Sequence, residues 1–306
     1  MYKQFSYALL VPCYNAEKYI NSFLDHIANL NEKFDEVLFY DDGSTDDSYK
    51  LLISRGVNVI KGQANMGPGY ARNRLAENAK SDYIHFHDID DEFNLAFISL
   101  IDAQAKAISP DIILGYADWI DSLTRNVIIK WRYDEHEIQE NPLTYFISNP
   151  LGIINTVYKK KAFCKTGGFN ETIKCWEDAD LHVRLAASGF SFSVVPEILA
   201  YSLRHNSGIS NDQQWCWACR LKFVQIYLEQ YGALVNKYVF KAELDKIKTA
   251  FVNMGRYEHL NKIIGLNKRF QLGIKTRKIS IINYLNKIFP TIMLKKAIRL
   301  FSNKTR

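Results

Sequence analysis

Long apolar runs are missing from this chain of 306 residues. The earliest, Tyr7 to Val11, holds five apolar residues before Pro12. It is too short for the core of a secretory leader, and no stretch approaches the ~18 apolar residues that a membrane-spanning helix needs. Cysteine is scarce: five residues, an odd number with irregular spacing, fit a reducing compartment better than a disulfide framework. Cys216-Trp217-Ala218-Cys219 has redox-motif spacing, but it lies in a helical run with no second pair and no preceding strand, so it reads as packing. These absences place the expected protein in the cytoplasm. No glycine pattern matches the P-loop or the dinucleotide fingerprint, which removes the corresponding ATPase and dehydrogenase classes. Acid is absent from Asn261 to Arg306, where twelve Lys and Arg residues fall; the first 260 residues therefore carry −6 against an overall +6. A basic tail invites a nucleic-acid reading, yet no recognition module accompanies it, and no nucleic-acid partner is expected.

What is present is an ordinary globular composition, 47% hydrophobic, enough for one large α/β core or a core with an appendage. Its centre is Tyr83-Ile84-His85-Phe86, a strand pattern running into Asp88, Asp90, Asp91 and Glu92 with no basic residue among them. Such acids repel one another unless a cation sits between them, and hard ions such as Mg²⁺ or Mn²⁺ take carboxylate, water and phosphate oxygens. A solvated acidic turn, or a cap for a helix starting near Glu92-Phe93, is the bland alternative. The residues alone leave both open.

The remaining elements follow in alternation. Strands are expected at Tyr7–Val11, Glu36–Tyr40 and Val57–Lys61, with helices over 16–30, 47–54 and 70–79, and Asn15 is expected to cap the first helix. Repeated strand and helix is the doubly wound arrangement, whose ligands bind at the carboxyl ends of the strands. Asp41 and Asp42 fall at that edge. They either cap the following helix or accept hydrogen bonds from a base imide or ribose hydroxyls. Gly67 and Gly69 let backbone approach a ligand, and Arg72 on the next helix is expected to reach a diphosphate oxygen. Further on come a helix over 93–107, a strand over 111–116, a hairpin arm over 126–133, and strands over 151–158, 190–195 and 198–203. Glu177 and Asp178 open a helix, where a dipole-stabilised helix start is again the plain reading.

Taken together these blocks resemble the inverting family 2 glycosyltransferases of GT-A fold, from about Tyr7 to Ser210. The resemblance rests on Pro12-Cys13-Tyr14-Asn15, Asp41-Asp42-Gly43-Ser44-Thr45-Asp46, Asn65-Met66-Gly67-Pro68-Gly69-Tyr70-Ala71-Arg72-Asn73, Asp88-Ile89-Asp90-Asp91, and Gly167-Gly168-Phe169-Asn170-Glu171 followed by Glu177-Asp178. It implies an α/β fold, a Rossmann-like, mostly parallel central sheet with flanking helices over 1–210, and a helical extension over 211–306. It implies nucleotide-sugar binding by Pro12, Tyr14, Asn15, Asp41, Asp42, Asn65, Gly67, Arg72, Asp88 and Asp90. Mn²⁺ or Mg²⁺ would sit on Asp90, Asp91 and His205; an acceptor would lie beside Gly168, Phe169 and Trp176; Asp178, with Glu177, would supply the base. The implied partners are a nucleotide sugar, with a uridine diphosphate sugar favoured, and a glycan or lipid-linked acceptor of a bacterial surface polymer. One departure is Tyr201-Ser202-Leu203-Arg204-His205, where the family often has Arg closer to the Tyr. A non-catalytic sugar-nucleotide-binding subunit and a nucleotidyltransferase are the rival readings. The stretches Ile281–Phe289 and Ile292–Phe301 mix bulky apolar residues with Lys and Arg, which suits a helix on an anionic membrane surface or a packing and self-associating helix.

Overall fold

The computed structural model describes residues 4–204 and 212–275. His205 and the two basic apolar stretches of the tail, for which a metal ligand and a membrane-surface helix are expected, lie outside the described residues. The chain divides into two compact units, Met1–Gly208 and Ile209–Arg306.

In the first unit the alternation is β1 (Tyr7–Cys13), α1 (Glu17–Ala28), β2 (Glu36–Asp41), α2 (Ser48–Ser54), β3 (Val59–Lys61), α3 (Pro68–Asn78) and β4 (Tyr83–Phe86). Strands β3, β2, β1 and β4 lie side by side and parallel. The inner strands β1 and β4 are buried on both faces, which is why they show no polar alternation, whereas β3 at the edge is half-exposed. The amphipathic α1 turns Ile20, Phe23 and Leu24 into that core.

Beyond β4 come β5 (Glu92–Phe93), α4 (Phe97–Ile108), β6 (Ile112–Asp121), β7 (Val127–Trp131), α5 (Glu135–Glu140), α6 (Pro142–Ser148), β8 (Thr156–Lys159), α7 (Lys160–Lys165), α8 (Glu177–Ala187) and β9 (Phe192–Arg204). The sheet order is β3-β2-β1-β4-β8-β6-β9-β5, with β7 on β6. Strand β8 enters antiparallel between β4 and β6, and β9 runs parallel to β6. The outer half of the sheet is therefore mixed.

Three local expectations change. Glu92-Phe93 pairs with Tyr201-Ala200 as β5 instead of opening a helix, and the helix begins four residues later. The expected strands 190–195 and 198–203 are one strand, β9, whose register against β6 slips near Gly115–Ala117. Pro196, which has no N–H to donate, sits at an exposed position of that irregularity, where a proline is tolerated. Helices α5 and α6 were not anticipated. Each has a plain start signal: the carboxylate of Asp134 accepts from the N–H of Glu137, and the side-chain carbonyl of Asn141 accepts from Thr144 ahead of Pro142.

The second unit contains α9 (Gln213–Tyr231), α10 (Lys237–Met254), a 3₁₀ turn (Tyr257–His259) and α11 (Leu260–Phe270). Asp212 caps α9 and Asn236 caps α10 through side-chain acceptors. A buried ion pair joins Arg220 on α9 to Glu243 on α10. No helix among the described residues is long and apolar enough to cross a membrane.

Candidate active site

The carboxyl ends of the parallel strands form one edge, where Cys13 pairs with Asp41, Asp41 with Lys61, and Leu10 with Phe86. Each strand hands over a turn there. The turn after β1 carries Tyr14, which is exposed, and Asn15, held in the left-handed region at φ +48°. Asn15 does not cap α1: the N-cap is Ala16, and it makes no side-chain cap bond. Instead the Asn15 side-chain oxygen accepts from the Thr45 N–H at 2.8 Å and from its hydroxyl at 3.2 Å. The Asn15 N–H donates to Ser44 Oγ at 3.0 Å. Asparagine suits this, since it tolerates the left-handed region and its amide oxygen can reach neighbouring backbone. The two turns thus form one wall.

Asp41 and Asp42 part ways. Asp42 is only 3% exposed, and its carboxylate accepts the N–H of Met66 at 3.0 Å and that of Gly67 at 2.8 Å. Its oxygens are engaged by the backbone of the glycine loop, which Asp42 holds in place. Burial raises its pKa, while the two N–H bonds oppose that rise. Asp41 is 1% exposed, and its Oδ1 has no hydrogen-bond partner among the described residues. A buried carboxyl oxygen of this kind is an acceptor with room for a donor. Gly43, at φ +71°, closes the wall: a Cβ there would stand 2.6 Å from the Ala64 carbonyl carbon, so a side chain would push the glycine loop away. Beside this loop Asn65 is exposed, and Lys174 donates to the Met66 carbonyl at 2.8 Å.

On the other side of the edge the acidic turn follows β4. Asp88 Oδ1 accepts from Arg72 at 2.8 Å, and the second arm of the same guanidinium donates to Glu177 Oε1 at 2.8 Å. The Arg72 side chain is 6% exposed and lies 5.5 Å from the centre of the Phe169 ring. With both arms held by carboxylates and almost no surface, it is not placed to meet a diphosphate, and that expectation is withdrawn. Asp91 accepts the Leu203 N–H at 2.7 Å, which ties the turn to the end of β9. Burial, then the charges of Asp88 and Asp90, push the Asp91 pKa well above the usual carboxylate range.

Among the described residues no three ligand-type side chains gather closely enough to hold a metal ion. The donor chemistry fits a hard cation all the same. Asp90 and Asp91 offer carboxylate oxygens, the donor class that a hard cation takes.

Helix α8 begins at Glu177 after Trp176, whose φ of +71° is unusual for a bulky residue and fixes the angle at which the helix starts. Asp178 Oδ1 accepts the Ala179 N–H at 2.7 Å. Burial, then the neighbouring Glu177 charge, push its pKa up to about 7. One turn further on, His182 Nε2 lies 3.0 Å from the Tyr158 hydroxyl beneath the sheet edge.

The turn before α8 faces inward. Asn73 of α3 accepts the Phe169 N–H at 2.8 Å and donates to its carbonyl at 2.9 Å, while Arg184 donates to the Gly168 carbonyl at 2.8 Å. Gly168 and Phe169 are buried, the latter against Phe86 and Phe163, so neither side presents itself to an acceptor as expected. Gly168 sits at φ +66°, where a Cβ would stand 2.5 Å from Asn73 Oδ1. Gly168→Ala should therefore lose about 2–3 kcal/mol of stability, from the left-handed strain and the broken Asn73 pair, read by urea denaturation. Asn73, Arg184 and Lys174 were not singled out in the sequence. Only the position of Asn73 next to Arg72 hinted at a task.

Comparison with known proteins bears on what this edge is. The family described as Glycosyl transferase family 2 matches residues 8–164. Curated relatives include the minor teichoic acid biosynthesis protein GgaA of Bacillus subtilis, 26% identical over 76% of this chain and 55% of that protein. Another is the amylovoran biosynthesis glycosyltransferase AmsB of Erwinia amylovora, 26% identical over 65% of this chain and 69% of that protein. The chain spans about half the length of GgaA. Among solved structures, S. aureus TarS 1-349 in complex with UDP-GlcNAc superposes with a TM-score of 0.65 at 18% identity, covering 89% of this chain and 82% of that one. The fold is accordingly that of the GT-A glycosyltransferases. With more than half of its length matched in order, from β1 through α7, the chain belongs to glycosyl transferase family 2.

Proposed function

We propose that this protein transfers a sugar from a uridine diphosphate sugar to a hydroxyl of a growing cell-surface polysaccharide or teichoic-acid-type polymer, with inversion at the anomeric carbon. The observation that carries the reading is Asp178: a carboxylate with a pKa near 7, joined through Glu177 and Arg72 to the acidic turn at the sheet edge. Hydroxyl groups are poor nucleophiles at neutral pH, and a base is most effective when its pKa lies near the working pH.

In this reading Asp41 Oδ1 accepts from the uracil imide, and Pro12, Tyr14, Asn15 and Asn65 form the wall around the nucleoside. The glycine loop, held open by Asp42, lets the Gly67 backbone approach the diphosphate. Asp178 takes the proton of the acceptor hydroxyl as its oxygen bonds to the anomeric carbon from the face opposite the diphosphate. The bond to the diphosphate oxygen breaks, and uridine diphosphate leaves with that electron pair. Asp90 and Asp91, with His205, would hold Mn²⁺ or Mg²⁺, which supplies charge neutralisation for the departing diphosphate. Names of relatives support the polymer class: one acts in teichoic acid biosynthesis and one in amylovoran biosynthesis.

The test is direct. Uridine diphosphate should raise the melting temperature of the full chain in the presence of Mn²⁺ and much less in EDTA, and EDTA should stop turnover of uridine diphosphate sugars until Mn²⁺ is restored. Turnover undiminished by EDTA removes the cation from the reaction. No stabilisation by any nucleoside diphosphate, with or without Mn²⁺, removes the donor class.

A further inference from the structure

One side chain joins the acidic turn directly to the start of α8. Arg72, on α3, contributes a planar fork whose two arms end on carboxylates from different segments, Asp88 after β4 and Glu177 at the start of α8, each at 2.8 Å. Glu177 is 12% exposed and Arg72 6%, so that bond is shielded from solvent and salt, whereas Asp88, at 39%, holds the other arm from the surface. The fork is also fixed from behind by the Phe169 ring. We propose that Arg72 is a positioning residue that locks the start of α8, and with it Asp178, onto the acidic turn, so that the donor side and the base keep one fixed relation. This rests on the reading of Asp178 as the base.

The chemistry demands arginine. Lysine carries the same charge on a single nitrogen and can satisfy one carboxylate well, whereas the guanidinium presents two arms at a set angle. The charge is needed as much as the shape, because Glu177, Asp178 and Asp88 meet around it. The groups facing Asp178 are Glu177 and, one turn on, His182 from its own helix, Arg72 from α3, Asp88 from the turn after β4, Tyr158 from β8, and Tyr133 ahead of α5. Burial keeps His182 and both tyrosines neutral near pH 7. Arg72 is therefore the cation that offsets Glu177 beside the base. Without it, Glu177 repels the ionised form of Asp178 unopposed.

The experiment titrates Asp178 without any substrate. The ¹³C-carboxyl NMR signal that disappears in Asp178→Asn is followed against pH in the full chain and in Arg72→Gln, Arg72→Lys, Glu177→Gln and the double variant Arg72→Gln/Glu177→Gln. Arg72→Gln should bind the Asp178 proton about tenfold more tightly, Glu177→Gln about tenfold less tightly, and the double variant should return close to the unsubstituted protein. Arg72→Lys should fall between the first of these and the unsubstituted protein. If Arg72→Gln does not fold, the lysine and double variants carry the comparison. An Asp178 midpoint that is the same in folded Arg72→Lys or Arg72→Gln as in the unsubstituted protein overturns the proposal. So does a double variant that titrates with Arg72→Gln instead of returning toward the unsubstituted protein, since the tighter proton would then not come from Glu177. Because no turnover is measured, failure here is separate from failure of the base assignment, which is read from Asp178→Asn activity alone.

Discussion

Asp178→Asn should lower turnover by about 10²–10⁴-fold while leaving the affinity for the uridine diphosphate donor within about twofold. The amide keeps the size of the side chain and can still accept the Ala179 N–H at Oδ1, so helix α8 should keep its start. What it cannot do is take a proton. The same residue sets a pH profile. Its pKa is raised to about 7, first by burial and then by Glu177, and the active form is the ionised one. Donor kcat/KM should therefore rise with pH through a midpoint near 7 and stand about tenfold below its plateau at pH 6. In Asp178→Asn that limb should vanish. If the variant instead loses donor binding and keeps its turnover, the base lies elsewhere.

Acid should unfold the first unit, and its buried histidines, His85, His87 and His182, should supply much of the steepness. His85 is buried in β4, its Nδ1–H donating to the Thr156 carbonyl at 2.8 Å while Nε2 meets His87 Nδ1 at 3.1 Å; burial lowers its pKa to about 4. His182, against Tyr158, is lowered to about 3 for the same reason. The folded pKa values lie below the unfolded value of about 6.5, so the unfolded chain takes up more protons as pH falls. Their stabilising contribution is complete above about pH 6.5 and drains away toward pH 3–4. At pH 4 the loss amounts to about 3 kcal/mol for each histidine, a large part of the 5–15 kcal/mol that holds a typical domain. Asp91 and Asp178, with raised pKa values, work in the opposite direction over the same interval. They cancel when His182→Phe is compared with the unsubstituted protein. The stability difference between the two, from urea denaturation at each pH, should shift by about 3 kcal/mol between pH 7 and pH 4. A pH-independent difference would mean that His182 titrates normally.

Much of this was readable before any coordinates. The parallel strands announce themselves because a strand covered on both faces has no polar side to interrupt it, and the turns at their ends are marked by Asp, Asn and Gly. Asp178 was legible as a candidate through the family resemblance, since two acids at one helix start are also what the helix dipole favours. Which acid does what was not legible. Asp41 and Asp42 are adjacent and chemically identical, yet a strand points neighbours to opposite sides, so one is left with an unpaired oxygen and the other binds the Met66 and Gly67 backbone. Arg72 looked free for a diphosphate because its two partners lie 16 and 105 residues away. Phe169 looked like a ligand neighbour because a turn residue is usually exposed, and only the packing of Phe86 and Phe163 around it shows otherwise.

The 105-residue span from Arg72 to Glu177 also sets an order in time. As the polypeptide leaves the ribosome, strands β1 to β4 can pair once the first ninety or so residues are out, but the guanidinium then has Asp88 alone for company. Strand β8 must still slide in beside β4, α8 follows, and β9, which lies between β6 and β5, comes later still. A nascent chain of any length short of α8 thus carries a half-satisfied arginine in an apolar setting, and closing so long a loop is slow. Late arrest of synthesis should leave an incompletely folded species that chaperones hold, whereas arrest well beyond Arg204, with β9 in the sheet, should release a protease-resistant core.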